Sequence, residues 1–144
     1  ELYTLSDLYC PNPACDCCKV TLAIHNSQGE PVATIAYGWK SVGFYRKWGV
    51  DSATAHLLTS GFLDSMGAQS KESPMFLNAL RDMIRKDPGL RRTLKDRYRI
   101  FKEATEYWGK MLLETEIPHA LKQYQDKTST DANVIDFSKH KKSS

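Results

Sequence analysis

All four cysteines of the chain lie within nine residues, in the segment Cys10-Pro-Asn-Pro-Ala-Cys15-Asp-Cys17-Cys18. Thiolates are soft ligands, and a cluster of them with prolines and no apolar run between them suits a small metal site better than a buried core. A structural zinc ion takes four such donors in a tetrahedron. We therefore predict a structural zinc site formed by Cys10, Cys15, Cys17 and Cys18.

The spacing C-x4-C-x-C-C determines how readily each thiol reaches one ion. Two prolines restrict the x4 gap, which can fold back as a loop. In an extended segment, the thiols of Cys15 and Cys17 do not reach one ion, so residues 15–18 must turn. Vicinal cysteines share one ion only with local distortion, so the fourth position stays open between Cys18, His25 and Asp16.

Clustered thiols have two other uses. They can pair as disulfides or sense oxidants. They can also hold a catalytic metal or an iron–sulfur cluster, although this spacing matches no standard ligand run for such clusters. Four cysteine donors leave no position for a substrate, so a site that uses all four is structural.

The segment that follows the cysteines has the pattern of a β-hairpin. Residues 19–25 alternate and place three apolar side chains on one face. Residues 26–31 are rich in turn formers, and residues 32–39 are β-branched and aromatic, which predicts the returning strand. Residues 2–9 are either a strand or an irregular lead-in to Cys10.

The remainder of the chain has helical patterns. Ser73-Pro74 and Asp87-Pro88 are start signals, because a capping side chain followed by proline marks the first turn of a helix. The last helix carries an apolar stripe at steps of three and four residues. The predicted helices run over 42–48, from Asp51 or Ser52 to about Met66, from Ser73, and from Pro88 to about Glu116.

Composition fits one soluble domain. The chain has 144 residues, of which 41% are hydrophobic and 26% charged, enough for a sizeable core. No apolar stretch approaches the roughly 20 residues of a membrane span, and the N-terminus lacks the features of a signal peptide. We therefore expect no membrane association and a cytoplasmic location, where clustered cysteines are more often ligands than disulfides. Because the chain does not begin with Met, we also expect residues upstream.

The predicted organisation is a single α+β domain over residues 1–125. A small zinc-stabilised β-hairpin or sheet (1–40) packs against a C-terminal bundle of three or more helices (41–125). The zinc replaces core where the sheet is too small to be stable by itself. Residues 126–144 are polar and low in large apolar groups, so they are predicted to form a flexible tail. The oligomeric state is left open.

Positive charge is concentrated in one segment. Residues 81–102 contain nine basic and three acidic side chains, while the rest of the chain is nearly balanced. Such a helix face is usually only solvated. It can also contact phosphates, and zinc knuckles beside basic helices occur in nucleic-acid binders. The basic residues that fall largely away from the apolar stripe are Arg91, Arg92, Lys95, Arg99 and Lys102.

The residues around the cysteines also carry a family resemblance. The segment Leu8-Tyr-Cys-Pro-Asn-Pro-Ala-Cys-Asp-Cys17, followed by a strand, resembles the N-terminal region of bacterial proteins that contain a C-terminal SEC-C zinc-binding motif. Residues 133–139, Asn-Val-Ile-Asp-Phe-Ser-Lys, resemble the linker that leads into that motif. The SEC-C cysteines are absent after Lys142, so the chain either is truncated or lacks that module. The resemblance implies metal binding and no particular activity, and in that group the position of Cys18 is often not cysteine.

The sequence contains no glycine-rich phosphate loop, nucleophile elbow or paired-carboxylate motif, so no enzyme activity is predicted. The first functional hypothesis is a zinc-binding, non-catalytic adaptor that interacts with another protein. The alternative is a nucleic-acid-binding protein that uses the basic helix.

Overall fold

The computed structural model describes residues 2–114 and 133–135, and the side chains of residues 2–110. This part of the chain is an α+β fold with an N-terminal sheet followed by helices, which confirms the predicted class. The elements, in chain order, are β1 (Tyr3–Leu8), β2 (Lys19–His25), β3 (Pro31–Gly38), α1 (Val42–Lys47), α2 (Ser52–Ser60), β4 (Phe62–Leu63), α3 (Ser73–Lys86), α4 (Pro88–Glu114) and β5 (Asn133–Ile135).

The strands form one antiparallel sheet in the order β4-β3-β2-β1-β5. The predicted hairpin is confirmed as β2 and β3. Its turn is closed by the Asn26 side chain, which accepts hydrogen bonds from the backbone N–H groups of Gln28 and Glu30 at 3.0 and 2.9 Å. Of the two options for the residues before Cys10, the structure has the strand, and the cysteine segment therefore connects two neighbouring strands.

One face of the sheet carries the main core. The alternation in β2 directs Val20, Leu22 and Ile24 to this face, where each is at most 1% exposed. Phe76 of α3 is fully buried against it, and the Tyr3 ring meets Phe76 edge-on with 4.8 Å between the ring centroids. Helix α4 contributes its own buried side chains to the same cluster. Removal of this apolar surface from water stabilises the layer without any metal.

The other face of the sheet is covered in part by α1 and α2. A smaller cluster joins Ala36 of β3 to Tyr45 and Leu58 of the two helices. Gly38, at the end of β3, permits this packing. A Cβ at that position would lie 2.2 Å from the Tyr45 hydroxyl oxygen, so a larger residue there displaces the ring.

Helix α2 is shorter than predicted. It ends at Ser60 rather than near Met66, because Gly61 adopts a φ of 82° that the helix cannot continue through. The chain then forms β4, which pairs with β3. The prediction of a helix to about Met66 is therefore wrong beyond Ser60, and the physical reason is the left-handed glycine.

The predicted flexible tail contains a short strand. Residues 133–135 form β5, whose Val134 pairs with Thr4 of β1. The open edge of β1 offers unpaired backbone groups, and Val134 and Ile135 have strand-forming side chains. The other residues of the predicted tail, and residues 115–125 of the predicted domain, lie outside the described residues.

Helix α4 is the longest element, with 27 residues, and it runs through Gly109. At a rise of 1.5 Å per residue it extends about 40 Å, far enough to contact both the sheet and the cysteine segment. Within the described part of the chain, no helix combines the length and the apolar character that crossing a bilayer requires.

Candidate metal centre

Three of the four cysteine thiols lie together. The Sγ atoms of Cys10, Cys15 and Cys17 are all within 4.8 Å of one another. In a tetrahedral zinc site with Zn–S bonds of about 2.3 Å, neighbouring sulfurs are roughly 3.8 Å apart. Small side-chain rotations therefore suffice for these thiols to ligate one ion, and their predicted convergence is confirmed.

A turn within the x4 gap brings Cys15 back toward Cys10. The Asn12 side chain accepts a hydrogen bond from the Ala14 N–H at 3.0 Å, and the Asn12 carbonyl accepts one from the Cys15 N–H at 3.1 Å. Asparagine favours such turns because its side chain bonds to backbone two residues on. The sequence Pro-Asn-Pro-Ala therefore forms the turn that brings Cys15 close to Cys10.

Backbone N–H groups also contact the sulfurs. Burial opposes ionisation of Cys10, but hydrogen bonds from the Asn12 backbone and from Cys15, together with the charge of Lys102, lower the pKa of Cys10 below its ordinary value. Burial raises the pKa of Cys17, and Cys15 and Cys10 add to that rise although the Lys19 backbone opposes it. Thiols crowded in this way ionise together most easily when a cation neutralises them.

The Cys18 thiol is not a member of the group in which all sulfur atoms lie within 4.8 Å of one another. Cys18 has a left-handed backbone conformation with φ of 49°, and its side chain is 4% exposed within the main core. Its Sγ donates a hydrogen bond to Asp16 Oδ1 at 3.1 Å. Burial, followed by the neighbouring Asp16, raises the pKa of Cys18 to about 12, which keeps it a thiol at neutral pH. The prediction of Cys18 as a ligand is not supported by this placement.

The backbone of Cys18 is bonded on both sides. Its N–H donates to the Tyr98 hydroxyl at 3.3 Å, and its carbonyl accepts from the Tyr45 hydroxyl at 2.7 Å. The Trp39 N–H also donates to that carbonyl, at 3.4 Å. Tyr98 belongs to α4 and Tyr45 to α1, and Trp39 directly follows β3. Cys18 therefore joins the cysteine segment to the core, which is a packing role.

Neither of the two alternative fourth donors, Asp16 and His25, belongs to the thiol group. Asp16 Oδ1 accepts a second hydrogen bond from the Tyr98 hydroxyl at 3.0 Å, and the bonds from Cys18 and Tyr98 lower the pKa of Asp16. His25 lies at the far end of β2 opposite Thr4, about 20 Å along the strand from Lys19. Among residues 2–110, the candidate metal group therefore consists of three cysteines.

Helix α4 anchors the cysteine segment. Lys102 Nζ donates to the carbonyls of Cys10 and Asn12 at 3.0 and 2.7 Å. Its ammonium also lies 5.5 Å from the centre of the Tyr98 ring. Sequence reasoning missed Tyr98 and Lys102 as anchors, because they are some 80 to 90 residues away from the cysteines in the chain and no local pattern connects them.

The five basic residues predicted to contact nucleic acid divide into two groups. Arg91 Nη2 donates to the Trp39 carbonyl at 2.6 Å, and Arg99 pairs with Glu103 at 2.9 Å. With Lys102, three of the five predicted nucleic-acid contacts therefore have partners within the chain. Arg92 and Lys95 are exposed.

A cleft of about 630 Å³ lies elsewhere, beside α3, and no cysteine lines it. Arg81 borders it and donates to the carbonyls of Ser60 and Gly61 at 3.2 and 2.8 Å, which caps the end of α2. The cleft is lined by Tyr37, Thr59, Ser60, Asn78, Arg81, Asp82, Ile84, Arg85 and Lys86. The thiol group and this cleft are separate features.

Comparison of the chain with protein-family models, curated proteins and solved structures finds no match. The function is therefore argued from the geometry of the thiol group and its surroundings.

Proposed function

We propose that this protein is a non-catalytic interaction domain whose fold is stabilised by a zinc ion bound to Cys10, Cys15 and Cys17. The observation that carries the proposal is the convergence of the three Sγ atoms within 4.8 Å. Thiolate donors select zinc or other soft metals over magnesium and calcium, which prefer oxygen. Zinc also imposes little geometric demand of its own, which suits a site whose ligands come from one short loop.

A structural role follows from what else supports this segment. Residues 11–14 are exposed, so little apolar surface is buried between Cys10 and Cys15. Zinc crosslinks would supply the stabilisation that packing does not supply there. Because Lys102 fixes the same loop on α4, the ion also stabilises the contact between the sheet and the long helix.

The family resemblance also supports this proposal. The segment around Cys10 resembles that of bacterial SEC-C proteins, which implies metal binding without an established activity.

Metal analysis combined with thermal unfolding tests this function. We expect one zinc per chain in the purified protein and a lower Tm after chelation. Readdition of zinc should restore the Tm, and readdition of magnesium should not, because magnesium prefers oxygen ligands. Protein that contains no zinc and whose Tm is unchanged by zinc would contradict the proposal.

Nucleic-acid binding is the second candidate. Arg92, Lys95 and Arg99 are exposed and recur at steps of three and four residues, which places them on one face of α4. Binding of RNA or DNA should weaken steeply with salt and should be lost in the triple variant Arg92→Glu, Lys95→Glu, Arg99→Glu. A matched reversal at Lys47, on α1, should leave binding intact. Absence of binding at low salt would exclude this candidate.

A further inference from the structure

We infer that the fourth ligand of the zinc ion is a thiolate. The chain has no cysteine besides Cys10, Cys15, Cys17 and Cys18, and Cys18 is buried in the core, so this thiolate belongs to another molecule. The inference rests on the proposed zinc site and identifies the chemical group by which the interaction domain would recognise its partner. Three observations carry it: the donor count, the accessibility of the thiols and the charge beside them.

The donor count leaves one tetrahedral position without a described protein ligand. Cys18 is the nearest cysteine in sequence, yet its Sγ bonds to Asp16 and its backbone is held by Tyr98 and Tyr45. To bind the ion, Cys18 would have to leave the core and change its backbone conformation, at the cost of these hydrogen bonds. Within residues 2–110, the thiol group is therefore a three-donor site.

The thiol group is accessible from solvent. Cys10 and Cys15 are half-buried, and residues 11–14 between them are exposed. Cys17 is buried at 7% exposure and forms the inner side of the group. An external ligand of the size of a cysteine side chain therefore reaches the ion without unfolding of the domain.

The charge beside the site favours an anionic sulfur ligand. A zinc ion with three thiolates has a net charge of minus one, which disfavours a further anion. The Lys102 ammonium, bonded to the carbonyls of Cys10 and Asn12, offsets part of that charge. The ligand set is already soft, and zinc bound by three thiolates commonly completes its tetrahedron with sulfur or imidazole. The positive charge of Lys102 favours the thiolate over neutral imidazole as the fourth ligand.

Cobalt substitution tests the inference on the full chain. Co²⁺ occupies zinc sites, and its visible absorption responds to the number of thiolate ligands. In a buffer without added thiol, titration with N-acetylcysteine methylamide, which mimics a cysteine residue, should change the spectrum and saturate. A second titration with 2-mercaptoethanol distinguishes the possible origins of the thiolate ligand. A response to both probes means that either a small thiol or a protein cysteine can bind. A response to the cysteine mimic alone indicates a protein cysteine.

Matched variants separate charge from loop structure. In Lys102→Met, the affinity for the cysteine mimic should fall at least severalfold relative to the affinity for neutral imidazole, whereas Lys102→Arg should keep the wild-type ratio. A purely structural role of Lys102 would lower both affinities together. Cys18→Ser should retain the cobalt spectrum and the thiol response.

Two outcomes would overturn the inference. A cobalt spectrum that does not change with either thiol would mean that the chain itself completes the site, while the proposed zinc-binding function would stand. Tighter binding of imidazole than of thiol in the wild type would exclude the thiolate as the preferred ligand. Failure of the wild-type protein to bind Co²⁺ or Zn²⁺ would instead contradict the proposed function.

Discussion

The cysteine segment and the sheet–α3 layer are stabilised by different physical means. The layer between the sheet and α3 is apolar, with Leu22, Ile24 and Phe76 fully buried. The cysteine segment, residues 10–18, is fixed by hydrogen bonds from Tyr98 and Lys102 and by the convergence of three thiols. The hydrophobic effect is sufficient to form the first region, since burial of apolar surface drives its packing. In the proposed function, the second is completed by a bound cation.

This difference has a consequence for the folding of the domain. Metal removal should loosen residues 10–18 and their contact with α4 and leave the sheet and α3 packed. A core mutation should destabilise the whole domain whether or not zinc is bound. The predictions below separate these two effects, in order of decreasing size.

The largest effect is expected from Phe76→Ala. Truncation of a fully buried phenylalanine removes apolar contacts and leaves a cavity, so the free energy of unfolding should fall by about 3–5 kcal/mol. Denaturant unfolding with and without zinc measures this, and the loss should be the same in both conditions. Met66→Ala is the matched control, because that side chain is 93% exposed and its loss should have little effect. A loss seen only without zinc would contradict the separation of the two regions.

Zinc removal should have the next largest effect. At a free zinc concentration about a hundredfold above Kd, binding to the folded state contributes about 2.7 kcal/mol. Chelation should lower the free energy of unfolding by that amount in the wild type and by nothing in Cys17→Ser. Hydrogen exchange should show a larger loss of protection within residues 10–18 than in α3, whose protection should fall by no more than the change in the global free energy of unfolding. Uniform loss across the domain would argue against two separable regions.

Tyr98→Phe tests the polar connection between the two regions. The hydroxyl accepts from the Cys18 N–H and donates to the exposed Asp16, so its removal leaves the buried Cys18 N–H without that partner. We expect a loss of about 2 kcal/mol in the free energy of unfolding and weaker zinc binding. Tyr107→Phe, on the exposed part of the same helix, is the control and should behave as wild type. Unchanged zinc affinity in Tyr98→Phe would show that this contact does not support the site.

The smallest effect is expected on the outer face of α4. Arg99 and Glu103 form an exposed pair at 2.9 Å with side chains 62% and 63% exposed. Such pairs contribute about 0.3–0.5 kcal/mol, so Arg99→Ala should change the free energy of unfolding by no more than that. Zinc content should be unchanged. A loss above about 1 kcal/mol would show that the outer face has a structural role as well.

Local signals predicted the parts of the fold that depend on local chemistry. The alternation of residues 19–25 gave β2, and Ser73-Pro74 and Asp87-Pro88 marked the starts of α3 and α4. The early end of α2 depends on the backbone conformation of Gly61. In the sequence, that glycine is also compatible with a helix interior at modest cost.

The candidate site was predictable only in part. The convergence of Cys10, Cys15 and Cys17 follows from their spacing and from the turn at Asn12. The placement of Cys18 does not, because it depends on hydroxyls of Tyr45 and Tyr98, which only the tertiary fold brings close. Contacts between residues so far apart in the chain cannot be predicted from local sequence patterns.

Native mass spectrometry of the wild type and the four single Cys→Ser variants tests the three-cysteine site most directly. The account predicts one zinc per chain in the wild type and in Cys18→Ser. It predicts loss or strong weakening of zinc binding in Cys10→Ser, Cys15→Ser and Cys17→Ser. Circular dichroism on each variant separates lost binding from lost folding. A metal-free wild type, or zinc loss in a folded Cys18→Ser equal to that in Cys17→Ser, would contradict it.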